Sequence, residues 1–597
     1  MGIFTRVQRE LDLISGLQRT LKWAEGIGHD EPRTVADDVE GTVDKFPNSP
    51  AIRFEGEEWS YAAFDARCNQ FAHWAQGQRL QRGDVVALFL TNRPDYIACW
   101  VGLSKVGVIA ALINTNLTEA PLAHCIRVAQ AKAVVTGDDT VGAYRAIAAQ
   151  VEQAPTLWCL DRADGAQDLS AALAGASPAR PAAESRAGMK GGDLAMYVYT
   201  SGTTGAPKAA KMPHWRVMGM MRAFVGAGRG VNTDRVYLTL PLYHGTGGLC
   251  GVGFALETGA CIILRKKFSA SQFWEEASRE RATVIFYIGE LCRYLVNQPK
   301  TPAETSHSVR LAVGNGLRPD VWQEFQPRFK IRKILEFYGS TEGNVSFLNF
   351  DGKPGAVGRI PSYLKKRLNV RVVKFDVESE QPMRGPDGLC IEADPDEIGE
   401  AIGEIRSDEA RFRFEGYSGD PKQTEKKILR NVFAEGDAWF RTGDLMRQDK
   451  KGYFYFIDRI GDTFRWKGEN VSTNEVGDVI AQFPGVVEAN VYGVKVGNLD
   501  GRAGMAALTL ESDDAINALR GLIHANLAPY ARPVFVRVQR QIETTGTFKY
   551  RKVDLVEVGF DPGKTDDPLY FDHPEEGRYV PVTPQLRNEV LAGKYRF

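Results

Sequence analysis

Apolar positions along the chain fall into two alternating patterns. Short apolar or β-branched runs recur at Val85–Leu90, Val108–Ile113, Ala133–Thr136, Met196–Tyr199, Val236–Leu240, Cys261–Leu264, Val284–Ile288 and Ile334–Tyr338, with stretches of helical spacing between them. Runs this short and apolar throughout predict strands buried on both faces. Helical intervals between them predict a largely parallel sheet, and so an α/β domain. Several runs end in small or polar residues, which is where ligands sit in such sheets. The amino-terminal stretch differs. Phe4, Val7, Leu11, Ile14, Leu17 and Leu21 fall at helical spacing and predict one amphipathic helix ending near Gly26 and Gly28. Its apolar face can dock on its own domain or lie in a lipid interface. The acidic Glu10, Asp12 and Glu25 dilute the basic face that anionic lipid prefers, which favours docking.

The pattern changes from about residue 352 to 458, where Gly- and Pro-rich turns alternate with short strands and predict a β-rich subdomain. A second unit with its own helices runs from about 462 to 555. The remainder, rich in Pro, Asp and Gly, reads as an extended wrap across the surface. The Ala-rich stretch from Ala171 to Ala187 reads as a loop with a short helix.

Composition narrows the class. The chain has 597 residues, 43% hydrophobic and 25% charged, which is soluble-globular material for more than one domain. Lys plus Arg (74) nearly cancel Asp plus Glu (75), so no basic field points to nucleic acid. The eight cysteines form no CxxC pair, which implies neither a zinc site nor a disulfide framework and fits a cytoplasmic setting. No apolar run reaches the roughly eighteen residues a spanning helix needs, and no signal peptide is expected.

The sharpest chemical signal is Tyr197-Val-Tyr-Thr-Ser-Gly-Thr-Thr-Gly-Ala-Pro-Lys208. A strand runs into four hydroxyl residues (Thr200, Ser201, Thr203, Thr204), two glycines (Gly202, Gly205) and Lys208. Glycines let backbone N–H groups approach an anion, hydroxyls donate to phosphate oxygens, and the lysine neutralises charge. The order is not that of the Walker loop. A flexible polar turn is the plain alternative, and a coincidence this long argues against it.

This segment resembles the signature loop of the adenylate-forming enzymes: acyl-CoA synthetases, adenylation domains and luciferases. The resemblance implies that the loop closes on the β- and γ-phosphates of ATP. Further segments match in the family's order. Pro241-Leu-Tyr-His-Gly245 implies that His244 borders the acyl carboxylate. Tyr338-Gly-Ser-Thr-Glu342 implies adenine stacking by Tyr338, nucleotide binding at Gly339 and Ser340, an α-phosphate contact from Thr341 and a Mg²⁺ ligand in Glu342. A lone Glu after Ser-Thr could equally cap a helix. Phe440-Arg-Thr-Gly-Asp444 implies that Asp444 takes the ribose diol, with Arg459 assisting at ribose or phosphate. The hinge is implied at Gly461-Asp462, the coenzyme A tunnel at Gly468 with Lys467 and Glu469, and the adenylation lysine at Lys549, in Glu543-Thr-Thr-Gly-Thr-Phe-Lys549.

Within the superfamily, Tyr287-Ile-Gly-Glu-Leu-Cys-Arg-Tyr294, Val313-Gly-Asn-Gly-Leu-Arg-Pro-Asp-Val-Trp322 and Gly461–Thr473 resemble the fatty acid transport protein and very-long-chain acyl-CoA synthetase branch. Gly316 is expected at the nucleotide, and Gly289, Gly314 and Asn315 are expected to line the acyl tunnel, where glycine leaves room for an alkyl chain or serves a tight turn.

The fold expected is α/β. An amphipathic helix lies in 1–30. A large domain of parallel-sheet subdomains spans 31–458 with its β-rich part from about 352, the hinge is 459–462, and a small mobile α+β domain with an extended tail fills 463–597. The function expected is an ATP-, Mg²⁺- and coenzyme A-dependent long- or very-long-chain acyl-CoA synthetase that traps imported fatty acid as its thioester. Its rivals are a steroid- or bile-acid-CoA ligase, a fatty acyl-AMP ligase, and a non-catalytic lipid-binding protein. A peripheral membrane contact and a homodimer stay open.

Overall fold

The computed structural model describes all residues except 1–2, 153, 201–206, 366, 369, 420, 468, 498, 500, 513–514, 541–551 and 596–597. The chain divides into two compact units, Met1–Ile360 with Gly403–Ile428, and Pro361–Ile402 with Leu429–Phe597.

The first unit holds two sheets. One runs in the order Gln167–Asp168, Thr156–Cys159, Ala133–Thr136, Val85–Phe89, Ile109–Leu112, Leu194–Thr200, Lys208–Pro213, parallel except for the last pair. The other runs Ser346–Leu348, Lys333–Gly339, Leu311–Asn315, Val284–Ile288, Arg235–Leu238, Cys261–Leu264, Pro50–Phe54, Glu57–Ser60, with a parallel centre and an antiparallel pair at each end. All eight apolar runs are strands, because their Val, Ile and Leu side chains are buried on both faces under helices. Helix starts follow the local chemistry. Thr34 and Asp37 form a capping box before Val35–Lys45, with Thr34 N donating to Asp37 Oδ2 at 2.7 Å.

The amino-terminal helix, Ile3–Trp23, is docked. Leu13 is buried, Gly16 lies against the Phe350 ring, Arg19 Nε donates to Gly226 O at 3.0 Å, and Glu10 pairs with Arg359 at 2.5 Å. The docked face is not the apolar stripe expected from the sequence: Val7, Leu11, Ile14 and Leu21 of that stripe are exposed, while Leu17 packs on the core. No helix among the described residues is long and apolar enough to cross a membrane. All eight cysteines are buried and unpaired.

In the second unit a β-rich part runs Tyr453–Arg459, Ala438–Gln448, Ile398–Glu404, Val370–Asp376, Gln381–Pro382. The small α+β part has the sheet Val486–Val494, Ala503–Leu510, Phe535–Val538, Leu569–His573, Arg578–Pro581, packed with the helices Thr473–Ile480 and Ile516–Asn526. The tail is therefore more than an extended wrap. It adds two antiparallel strands to this sheet and ends in the helix Pro584–Leu591. Leu569, Phe571 and His573 point inward in alternation, and Asp572 on the other face accepts from Arg520 Nε at 2.6 Å and pairs with His524 Nε2 at 2.8 Å.

Candidate active site

Strand ends frame the site. Leu194–Thr200 delivers Thr200, and the chain returns as Lys208–Pro213 with Thr200 and Lys208 in register. Ser201, Gly202, Thr203, Thr204 and Gly205 lie outside the described residues. One helix, Glu119–Ala129, ties down both flanks of that loop. Tyr199 Oη donates to Cys125 O at 2.7 Å, and His124 Nε2 stands 3.1 Å from Pro207 O.

The strand Lys333–Gly339 ends in Tyr338 and Gly339, with the Tyr338 ring 5.8 Å from Phe347, and turns into Ser340-Thr341-Glu342. Arg216, on the helix His214–Gly228, shapes that turn. Its Nε donates to Thr341 O at 2.9 Å and its Nη2 to Ser340 O at 3.3 Å and to Gly343 O. Burial pushes the guanidinium down to about 10, against the opposing pull of Glu342 and Glu415, so it stays charged at neutral pH. The Ser340 hydroxyl is buried with no hydrogen-bond partner among the described residues.

Glu342 meets the phosphate-loop flank through Tyr417, which lies on neither segment. Tyr417 Oη donates to Glu342 Oε1 at 2.8 Å, and Lys208 Nζ, register partner of Thr200 across the loop, stands 5.4 Å from the ring centroid. Burial and the Glu342 carboxylate push the phenol well up, so it is a proton donor at neutral pH.

Beside Lys333–Gly339, the strand Leu311–Asn315 ends in Gly314 and Asn315, and Gly316 follows with φ +77°, a left-handed turn that glycine adopts without strain. Glu336 fastens this turn. Leu317 N donates to its Oε1 at 3.0 Å, and the buried Tyr287 hydroxyl donates to its Oε2. A Cβ at Gly289 would collide with Gly316 O, and one at Gly314 with Tyr287 O. Close backbone approach, rather than spare volume for an alkyl chain, is what demands glycine at Gly289 and Gly314.

His244 precedes a π-helix, Gly245–Gly251, a form often found at functional sites, and its ring centroid is 4.4 Å from that of Tyr243. Asn92 holds the approach to it. Its Nδ2 donates to Leu240 O at 2.9 Å and Arg265 O at 3.0 Å, while Leu242 N donates to its Oδ1 at 2.9 Å.

In the second unit Asp444 and Arg459 are register partners across two antiparallel strands. Within the strand that carries Asp444, Gly443 has φ +79° and rests on buried Glu400, which accepts from Gly443 N at 3.2 Å and from Arg441 Nη2 at 2.8 Å. At Gly461-Asp462, Lys552 Nζ pairs with Asp462 Oδ2 at 3.3 Å and donates to Thr473 Oγ1 at 2.7 Å. Buried Asp458 accepts from Thr473 N at 2.6 Å and Asn474 Nδ2 at 3.0 Å. Lys467 has φ +53°, and Glu469 opposes Trp466 across a short antiparallel pair. Gly468 and Lys549 lie outside the described residues.

The structure thus joins Thr200, Lys208 and Glu342 within one unit, and Asp444 with Arg459 in the other. Sequence reasoning missed Tyr417, Arg216, Asn92 and Glu336. Glu336 alone left a signal, a carboxyl inside an otherwise apolar strand run.

Residues 39–395 match the AMP-binding enzyme family, and residues 475–549 match the AMP-binding enzyme C-terminal domain. The chain is 41% identical over 568 residues to mouse long-chain fatty acid transport protein 6 (94% of this chain, 90% of the relative). It is 40% identical over 595 residues to human long-chain fatty acid transport protein 1 (98% and 91%). Among solved structures, ATP-bound MatB from Rhodopseudomonas palustris superposes with TM-score 0.73 at 26% identity, covering 88% of this chain and 99% of that one. A Mycobacterium tuberculosis fatty acyl CoA synthetase shares the fold, with TM-score 0.61 at 24% identity over 88% of this chain and 98% of the other. The chain belongs to the adenylate-forming AMP-binding enzymes and, within them, to the long-chain fatty acid transport proteins.

Proposed function

We propose that the protein is a long- or very-long-chain fatty acyl-CoA synthetase, which forms an acyl-adenylate from ATP and then passes the acyl group to coenzyme A. One convergence carries this reading: the phenol that donates to Glu342 has the Lys208 ammonium beside its ring, and Lys208 is the register partner of Thr200 across the phosphate loop. That arrangement suits a triphosphate on one side and a hard cation on the other.

In the first step a fatty carboxylate attacks the α-phosphorus and pyrophosphate leaves. The hydroxyls and amides from Thr200 to Lys208 hold the departing phosphates. Tyr338 stacks on adenine, Thr341 contacts the α-phosphate, and Asp444 with Arg459 holds the ribose. Lys549 neutralises charge that grows on the α-phosphate and carboxylate oxygens. Among the described residues no group of three His, Cys, Asp or Glu could hold a metal ion. A single Glu fits Mg²⁺, which takes one or two carboxylates and completes its shell with phosphate and water. Held by Glu342, Mg²⁺ would supply neutralisation of phosphate charge. In the second step the coenzyme A thiol attacks the mixed anhydride, served by the Lys467–Glu469 segment after a turn about Gly461-Asp462, and AMP departs.

The exposed face of Ile3–Trp23, with Val7, Leu11, Ile14 and Leu21, supports a peripheral contact with the lipid surface that stores such an acid. Sedimentation with phosphatidylcholine–phosphatidylserine vesicles tests it: Leu11→Gln with Ile14→Gln is expected to leave the protein in the supernatant.

The activity test measures pyrophosphate, AMP and acyl-CoA from ATP, coenzyme A and a panel of medium to very long fatty acids. Pyrophosphate should require the acid, and thioester should follow when coenzyme A is present. Acyl-adenylate that accumulates despite coenzyme A would point to an acyl-AMP ligase, and no pyrophosphate with any acid would refute the enzyme reading. Lys549→Ala should abolish adenylation yet still transfer supplied acyl-adenylate to coenzyme A.

A further inference from the structure

Tyr417 lies outside every segment that carries the proposed chemistry, yet it is buried, with its hydroxyl on Glu342 and its ring beside Lys208. Its backbone is fixed independently of those contacts. Lys211 N donates to Gly416 O at 3.1 Å and Ser418 N to Ala209 O at 2.9 Å, pairing Tyr417 with Ala210 on the strand that leaves the phosphate loop. Tyr417 N donates to Thr424 Oγ1 at 3.0 Å, and Gly416 turns the chain at φ +73°. Main-chain pairing thus delivers the hydroxyl to Glu342.

The chemistry of the group matters. A carboxylate that is to take a cation must be oriented without losing its charge. A lysine or arginine at this place would form an ion pair that competes with the cation, and a phenylalanine would leave the carboxylate free to rotate. A neutral hydroxyl donating to one oxygen fixes the plane of the carboxylate and leaves it anionic. The backbone of Tyr417 pairs with Ala210 and its ring lies 5.4 Å from Lys208 Nζ, so the orientation of Glu342 depends on the strand that leaves the phosphate loop.

We propose that Tyr417 is a positioning residue for adenylation: it aims the Glu342 carboxylate at the divalent cation and couples it to the phosphate loop, so that cation and triphosphate bind as one. This rests on the assignment of Mg²⁺ to Glu342.

Tyr417→Phe tests it, because the ring and its contact with Lys208 remain and only the hydroxyl goes. Calorimetric binding of α,β-methylene-ATP, which cannot lose pyrophosphate, is measured against MgCl₂ concentration in wild type, Tyr417→Phe, Glu342→Gln and the double variant. Tyr417→Phe should raise the Mg²⁺ needed for half-maximal nucleotide binding by about tenfold, the scale of one hydrogen bond to a charged group. Its melting temperature should stay that of wild type. In the Glu342→Gln background the second substitution should change nothing further. A wild-type Mg²⁺ dependence in Tyr417→Phe, with Glu342→Gln impaired, overturns the role of Tyr417 alone. So do effects of the two substitutions that multiply. A wild-type Mg²⁺ dependence in Glu342→Gln overturns the metal assignment and the proposal with it.

Discussion

Glu336 places a carboxyl where the strand Lys333–Gly339 is buried, and its surroundings oppose one another. Burial pushes its pKa up to about 8, although hydrogen bonds from Tyr287, Leu317 and Gly316 pull it down. In the unfolded chain the same group titrates near about 4.3. The native state therefore binds the extra proton between those values, and the stability this contributes is fully present below the lower one and lost as pH rises through about 8. Glu336→Gln cannot titrate, so its stability relative to wild type should rise with pH across that window, by up to about 1.4 kcal/mol per unit. Urea midpoints at a series of pH values read this difference. Parallel curves for the two proteins would contradict the assignment. Arg216 acts at the same scale and in the opposite sense: burial lowers its pKa only to about 10 because Glu342 and Glu415 oppose it, so it stays a cation while three carbonyls of the Ser340–Gly343 turn accept from it.

Single side chains hold whole connections at the next scale up. Asn92, just beyond the strand Val85–Phe89, satisfies backbone groups of the connections that follow Arg235–Leu238 and Cys261–Leu264. Asn92→Ala strands two carbonyls and one N–H in a buried place. It should cost about 3 kcal/mol in denaturant unfolding and weaken the site's hold on the acid, because the loop that carries His244 loses its anchor. Asn92→Asp should be nearly as damaging, since a carboxylate cannot donate to the two carbonyls. If the Asp variant kept wild-type stability, the anchor would lie elsewhere. The strands themselves were legible, because a buried parallel strand writes its burial into consecutive residues. Asn92, Tyr417 and Arg216 were not, for a lone polar residue at the end of an element looks like any cap or turn, and its partners stand 75 or more residues away. The tail was misjudged for a related reason. Its Pro, Asp and Gly signalled turns, while the inward alternation of Leu569, Phe571 and His573 was too short to outweigh them.

Across the molecule, the hydrophobic clusters respect the chemistry assigned to each part. Among the described residues, the buried core of the small α+β part is drawn from Phe464 to Val590 and includes its whole sheet, whereas the sheets around Thr200 and Tyr338 have cores of their own. A fragment of residues 463–597 should therefore fold alone, with a single sigmoidal thermal transition by circular dichroism; a broad, featureless melt would show that its core is not self-sufficient. The motifs read in order along the sequence said which residues belong to the chemistry. They could not say which neighbours hold Asp444 and Arg459 in register, because that pairing depends on contacts remote in sequence, such as Gly443 N donating to Glu400 Oε1.

The burial of all eight cysteines has a practical consequence for following the motion assigned to Gly461-Asp462. A thiol reagent should find no target on the folded protein and eight after denaturation, which a colorimetric thiol titration would show. A pair of cysteines introduced at exposed positions could then carry two spectroscopic labels with every native thiol left in place. The distance between the labels, read as ATP, fatty acid and coenzyme A are added in turn, would track the catalytic cycle in the unaltered core.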